Sequence, residues 1–234
     1  MRRNHSKYQA MVMGNSQAKF QFYCENTTIP ISEHLNLLGI TIDNKLKYDK
    51  QIAKVTRKVS QQIAVLKRMR NMLPLDIRKN IYQSFIAPHF NYCSDVWHFC
   101  SKSSSDKLEK VNERALRFVF KDKNSSYKPL LNKLGTLSLN EQRLIKIAST
   151  VFKMLNYEDN ILTTLNELIQ RRTATYNLRG KDILTLPRIN STRQGLKSWR
   201  YLAPKIWNAL PDITRHEVGL NNFKKHLMKI EFNR

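Results

Sequence analysis

A chain of 234 residues with 41 Lys and Arg against 18 Asp and Glu, a net charge of +23, can bury a real core and is far more basic than solubility requires. Three cysteines do not make a disulfide framework, and no apolar run reaches the roughly 18 residues of a membrane span, which excludes a disulfide-stapled scaffold and a helical membrane protein. Six glycines argue against a β-sandwich or a phosphate-cradling loop, so the expectation is a mainly α protein, intracellular (nuclear or cytoplasmic) rather than secreted, whose partner is a polyanion.

In chain order, residues 8–13, 20–24 and 29–31 are short and strand-like, with a turn at Gly14-Asn15-Ser16 and a break at Glu25-Asn26. Leu35, Leu37, Leu38, Ile40 and Ile42 extend this into a single strand whose central Gly39 marks a place of close approach. About 40 residues of antiparallel sheet cannot fold alone, so this element is expected to open first in hydrogen exchange.

After Asp43-Asn44 the apolar period changes from two to about 3.6. Ile52, Val55, Val59, Ile63 and Leu66 define one face of a helix over 48–72, and Lys50, Lys54, Arg57, Gln61 and Arg68 fall opposite. Residues 48–73 hold seven Lys or Arg and a single acid, Asp49, placed where the helix dipole favours it. Pro74 opens a second helix with Ile77, Ile81, Tyr82 and Phe85 inward, ending by Pro88. Aromatic residues make 89–100 core, and Ser103-Ser104-Ser105-Asp106 caps a fourth segment carrying Leu108, Val111, Ala115, Leu116, Val119 and Phe120. Short links between these segments predict an antiparallel bundle.

A polar joint at 121–128 is the best boundary. Beyond it the periodicity predicts helices over 129–134, 138–156 and 161–170, then an irregular basic loop over 171–193 with Arg171, Arg172, Arg179 and Arg188, a helix opened by Pro204, and a last amphipathic helix over 220–230. The expected organisation is therefore a β-containing piece over 1–46, a helical bundle over 47–121 and a helical extension over 122–234.

His89, Cys93, His98 and Cys100 match the paired spacing of a zinc site only loosely. No phosphate-binding loop, zinc-protease, nucleophile-elbow or CxxC signature is present, and Asp43, Asp49, Asp76, Asp95 and Asp106 form no doublet for two-metal chemistry.

Several ordered blocks are more specific. Asn4-His5-Ser6-Lys7 with Met11-Val12-Met13, Leu37-Leu38-Gly39-Ile40-Thr41-Ile42-Asp43, Arg78 with Tyr82, Pro88-His89-Phe90-Asn91-Tyr92, Val96-Trp97 and Asn112-Glu113-Arg114-Ala115-Leu116-Arg117 come first. Leu130-Leu131, Leu139 with Arg143, Tyr176-Asn177-Leu178-Arg179-Gly180, Leu186-Pro187 and Trp207-Asn208-Ala209-Leu210-Pro211 follow. Together they resemble the downstream part of non-LTR, jockey-like retrotransposon reverse transcriptases: the end of the palm, the helical thumb and a C-terminal extension.

The resemblance implies that Leu38, Gly39 and Ile40 match a primer grip and that Lys7 is a candidate proton donor to the leaving group. It also implies that Lys50, Lys54, Arg57 and Arg68 lie along template and primer, with Arg171, Arg172, Arg179 and Arg188 as a second basic site. The family's catalytic aspartates, including a doublet after an aromatic residue, correspond to nothing in this chain and belong upstream with the missing polymerase domains. The chain is expected to need no metal or cofactor, although the parent polymerase uses Mg²⁺, and to be inactive by itself. The alternative is a transposon-derived structural or protein-interaction module.

Overall fold

The computed structural model describes residues 7–14, 20–24, 27–157, 167–172, 183–191 and 195–230. They fall into two units, one reaching Leu134 and one starting at Gly135, with residues 121–128 inside the first. The structure is mainly α, with a small antiparallel β element at the N-terminal end.

The apolar run at 35–42 doubles back. β1 (Phe22–Cys24) pairs with β2 (Thr27–Ile29), while β3 (His34–Leu37) and β4 (Ile40–Asp43) form a separate hairpin in which Leu37 faces Ile40 across a two-residue turn. The single continuous strand predicted there is therefore corrected to two. Leu38 and Gly39 both take positive φ, +47° and +84°, the geometry of the tight turn whose twist matches a hairpin. Gly39 is required by that φ rather than by crowding, since a Cβ there would stand an ordinary 3.9 Å from Tyr92 Cε1. The strand expected at 8–13 is also not formed. Ala10 makes one parallel bridge to Ile31, and the Ser32 N–H donates to its carbonyl at 2.9 Å.

α1 (Asp49–Arg68) buries Ile52, Val55, Val59 and Ile63, the face read from the sequence. The second helix is longer and less regular than expected. α2 (Leu75–Ile81) runs through a π-helical turn over Tyr82–Ile86 into α3 (Ala87–Asn91), so the helix passes Pro88 rather than ending there. Pro88 has no N–H for a regular turn and its ring would press on the preceding one; a turn widened by one residue relieves both constraints. The widening also rotates the apolar face. Tyr82, Ile86 and Phe90 are buried, while Phe85 and, before the widened turn, Ile77, both expected inward, are 63% and 45% exposed.

α4 (Lys102–Phe120) starts before the serine cluster expected to cap it, because Ser101 is the residue whose hydroxyl accepts the Ser104 N–H, at 3.2 Å. Cross-helix pairs fix the directions. Gln62 meets His89 while Arg78 reaches Leu73 just past α1, and Tyr82 meets Asn112 while Arg78 reaches Val119, so the 75–91 helix is antiparallel to both α1 and α4. Asp49 accepts from Ser104 and Ser60 from Arg114, so α1 and α4 run parallel. The antiparallel four-helix arrangement is corrected to an up-down-up arrangement of three helices, since the segment around residues 92–100 is only a turn and a short 3₁₀ piece at Trp97–Phe99. α5 (Tyr127–Leu134) packs on α4.

Polar anchors fix this unit from inside. The buried Arg78 guanidinium donates to the carbonyls of Val119 (2.6 Å) and Leu73 (2.7 Å), tying α2 to the negative end of α4 and the loop after α1. Tyr82 donates to Asn112, Asn112 to Tyr127 and Tyr127 to Glu109. Burial, only partly offset by the Asn112 bond, pushes the Tyr82 hydroxyl up to about 12, and burial with the Glu109 carboxylate raises Tyr127 as well, so both stay donors in the neutral range.

In the second unit α6 (Leu139–Asn156) opens with a reciprocal capping box between Ser138 and Glu141. It packs against α7 (Trp199–Ala209) and α9 (Leu220–Leu227), with α8 (Asp212–Arg215) between them in sequence. Phe152 stacks on Phe223 with ring centres 4.4 Å apart, and Trp207 lies beside Phe223. Pro204, expected to open its helix, sits inside α7, where burial with Ala203, Ile206 and Trp207 offsets the roughly 3 kcal/mol that an interior proline costs. Leu184 is buried and held by Asn208, which accepts its N–H and donates to its carbonyl, both at 2.8 Å. Of the helix expected over 161–170, residues 161–166 lie outside the described set and 167–170 are not helical.

The hairpin and the first strand pair differ in how they are held. Ile40 and Asp43 are buried and β4 packs on α1, whereas β1 and β2 are largely exposed. Hydrogen exchange should therefore find the amides of Ile40 and Ile42 well protected and those of Tyr23 and Thr28 close to unprotected. Equal, fast exchange across both pairs would contradict the docking of β4.

Candidate nucleic-acid interface

The local frame is set by one carboxylate. Asp43 ends β4, and its oxygens accept the backbone N–H groups of Lys45 (3.1 Å), Lys47 (3.0 Å) and Tyr48 (2.6 Å), gathering the connection into α1. Leu46 and Tyr48 both take positive φ within this turn, and α1 starts with no side-chain cap of its own. Burial alone would raise the Asp43 pKa. The three backbone donors, aided by the charge of His34, outweigh it and hold the carboxyl below its ordinary value.

The hairpin tip is clamped from both sides. Tyr92 Oη donates to the Leu38 carbonyl at 2.7 Å, and Lys54 Nζ donates to the Gly39 carbonyl at 3.0 Å. Gln51, buried on α1, accepts the Thr41 N–H at 3.0 Å. Leu38 is thereby presented outward, 82% exposed, while Ile40 is buried against the helices. Of the residues expected to form a grip, two are at the exposed tip and one is core.

Along α1, Lys50, Lys54, Arg57 and Arg68 are all exposed. Lys54 is engaged with the hairpin, which leaves Lys50, Arg57 and Arg68 as the members of that row directed to solvent. Arg57 opens into a cleft of about 720 Å³ between α1 and α4. Four α4 cations line the other wall: Lys107, Lys110, Arg114 and Arg117. Their spacing of three, four and three residues puts them on one helix face. Arg114 is steadied by Ser60 at 3.3 Å, and Arg117 by Glu113 at 2.7 Å and the Lys123 carbonyl at 2.5 Å. Glu113 is the sole acid of the lining. Sequence reasoning missed the α4 row because the apolar recurrence of Val111, Ala115 and Leu116 dominates that segment; the recurrence of cations at 107, 110, 114 and 117 was its available signal.

Lys7 is exposed. In the second unit Arg171 and Arg172 are exposed at a short bridge to the 183–184 backbone, with Arg171 also reaching the Leu155 carbonyl at 3.2 Å, and Arg188 is exposed. Arg179 lies outside the described residues. Of the loosely spaced zinc candidates, His89 meets Gln62 at 3.0 Å and Cys100 is buried. Among the described residues no three His, Cys, Asp or Glu side chains come together as a metal-binding group, and no helix is long and apolar enough to cross a membrane.

Because the Asp43 pKa is depressed on folding, its contribution is fully present above the unfolded value near 3.9 and is lost as pH falls through the folded value. Asp43→Asn should cost roughly 1–2 kcal/mol at neutral pH, with the gap from the parent narrowing below about pH 4. Chemical denaturation at pH 7 and pH 3 measures this, and a gap independent of pH would contradict the ionised-acceptor role.

No protein-family profile and no solved structure matches the chain significantly. It is 31% identical over 85 residues to the RNA-directed DNA polymerase from mobile element jockey of Drosophila melanogaster, covering 35% of this chain and 9% of that protein. It is 21% identical over 100 residues, 42% of this chain, to the probable RNA-directed DNA polymerase from transposon X-element, and 26% over 85 residues to that from transposon BS, both of the same organism. The matched stretch spans only 9–11% of the length of these relatives. Over the matched residues, the chain is similar to RNA-directed DNA polymerases of Drosophila non-LTR elements.

Proposed function

We propose that this chain is a part of a retrotransposon-class RNA-directed DNA polymerase that holds template and primer and does not itself carry out nucleotidyl transfer. The observation that carries this reading is the concentration of exposed cations along α1, Lys50, Lys54, Arg57, Lys58, Lys67 and Arg68, beside the clamped hairpin tip, with Asp49 the sole acid of that helix. Packing so many like charges side by side is unfavourable unless a polyanion neutralises them, and counterion release then drives binding. Leu38, Gly39 and Ile40 would act as the primer-grip-like element, with the hairpin tip set against the basic helix by Lys54 and Tyr92. Two-metal transfer requires carboxylates holding both ions, and no Asp-Asp or Asp-x-Asp pair supplies them in this sequence, whose one acidic doublet is Glu158-Asp159, so chemistry would depend on further polymerase domains. Contacts to backbone phosphates position a strand without reading its sequence, so RNA and DNA templates of any sequence are the expected partners.

Lys50, Arg57 and Arg68 changed together to Gln should lower the slope of log affinity against log salt on a hairpin duplex by about 2–3, at roughly 0.9 for each phosphate the variant no longer neutralises. Lys54 is left in place because it supports the hairpin. The matched control changes Arg171, Arg172, Arg179 and Arg188 to Gln and should leave the slope nearly unchanged. A folded α1 variant that keeps its affinity and slope would overturn the reading, and a control that loses the slope instead would move the interface to the second unit.

A further inference from the structure

We infer that the cleft between α1 and α4 is a separate site for single-stranded nucleic acid, gripping the phosphodiester backbone of one strand that runs parallel to the helices. The inference takes its choice of polyanion from the function proposed above; the α4 residues and the strand state are its own, and Arg57 is the one member of the α1 row tested there that also lines the cleft, Lys50 and Arg68 lying outside it.

Three features define the site, and the first favours one strand over a duplex. The first is width. The axes of helices in direct contact lie about 8–10 Å apart, so the trough between them is narrow enough to take one phosphodiester backbone, whereas a double helix, wider than its own roughly 12 Å major groove, can only rest on its rim. α1 and α4 are in such contact through Asp49 with Ser104 and Ser60 with Arg114. The second is length. Lys107, Lys110, Arg114 and Arg117 span ten residues of helix, a rise of about 15 Å, so the row can meet successive phosphates of a strand running along it. The parallel course of the two helices lets Arg57 face this row from the opposite wall.

The third feature is preorganisation. Arg114 is held by Ser60, and Arg117 by Glu113 and two carbonyls beyond the helix, those of Lys123 and Ser125. Fixed guanidinium groups lose little entropy on meeting a phosphate. Arg57, Lys107 and Lys110 are exposed and complete the grip. Among the described residues no aromatic side chain lines the cleft, so bases find no stacking platform and remain outside, giving binding without base preference.

The test uses the full chain with Lys107→Gln and Lys110→Gln combined, both exposed positions, and fluorescence anisotropy over a salt series with two probes: an oligo-dT 20-mer and a blunt hairpin duplex. The circular dichroism melting profile confirms that the variant is folded. The inference predicts at least tenfold weaker oligo-dT binding at low salt and a slope smaller by about 1.4, at roughly 0.7 per single-strand phosphate, with duplex affinity within twofold of the parent. An unchanged oligo-dT slope overturns it. So does a parallel loss on both probes, which makes these lysines part of one general basic surface. If the parent fails to bind the duplex yet shows the oligo-dT effect, the template–primer reading fails and the single-strand site stands; if the parent binds neither probe, both fail.

Discussion

The first unit depends on the short connection between β4 and α1. Asp43 collects three backbone donors there, allowing Leu46 and Tyr48 to keep left-handed conformations that cost roughly 1–2 kcal/mol each when unsupported. Once that turn is fixed, α1 leaves at a set angle, Gln51 and Lys54 reach back to the hairpin, and Tyr92 closes on its tip from the end of α3. An exposed two-residue turn becomes a rigid feature on two helices, and the direction of α1 decides where its cations and those of α4 meet.

The residues that carry the resemblance to non-LTR polymerases turn out to be largely those of the frame. Arg78 ties three segments through carbonyls, Tyr82 and Asn112 begin a buried chain of hydrogen bonds, and Tyr92 anchors the hairpin. Trp97 is fully buried with its indole N–H on the Tyr92 carbonyl, and Asn208 brackets Leu184. Arg78, Trp97 and Asn208 pair backbone groups and Tyr82 with Asn112 pairs buried side-chain groups that would otherwise cost about 1–3 kcal/mol apiece, while Tyr92 fixes a carbonyl at the exposed tip. Of the cations lining the cleft, Arg114 and Arg117 fall in those blocks, and Arg57, Lys107 and Lys110 lie outside them.

Long amphipathic helices were readable because their period repeats over many turns: α1, α4 and α6 lie within a few residues of where the apolar spacing puts them, as does the small size of the β element. The turn at Leu38-Gly39 was not readable, because a leucine in a left-handed conformation has no local signature and only Tyr92 and Lys54, far along the chain, sustain it. Pro88 and Pro204 read as boundaries on local grounds, and in both cases the buried apolar face on either side prevails over the missing hydrogen bond. The α1 half of the cationic surface was legible from one helix. The cleft was not, since it needs two helices separated by about thirty residues to run parallel, and parallelism follows from the 75–91 helix between them.

Photocrosslinking tests the central claim, that nucleic acid is held by α1 and α4 of the first unit, most directly. A uniformly 4-thiothymidine-substituted oligonucleotide bound to the full chain and irradiated, followed by peptide mass spectrometry, should yield adducts on peptides from 49–68 and 102–120, with little elsewhere. Adducts concentrated on 167–191, or spread evenly over the lysine- and arginine-rich surface, would contradict the account.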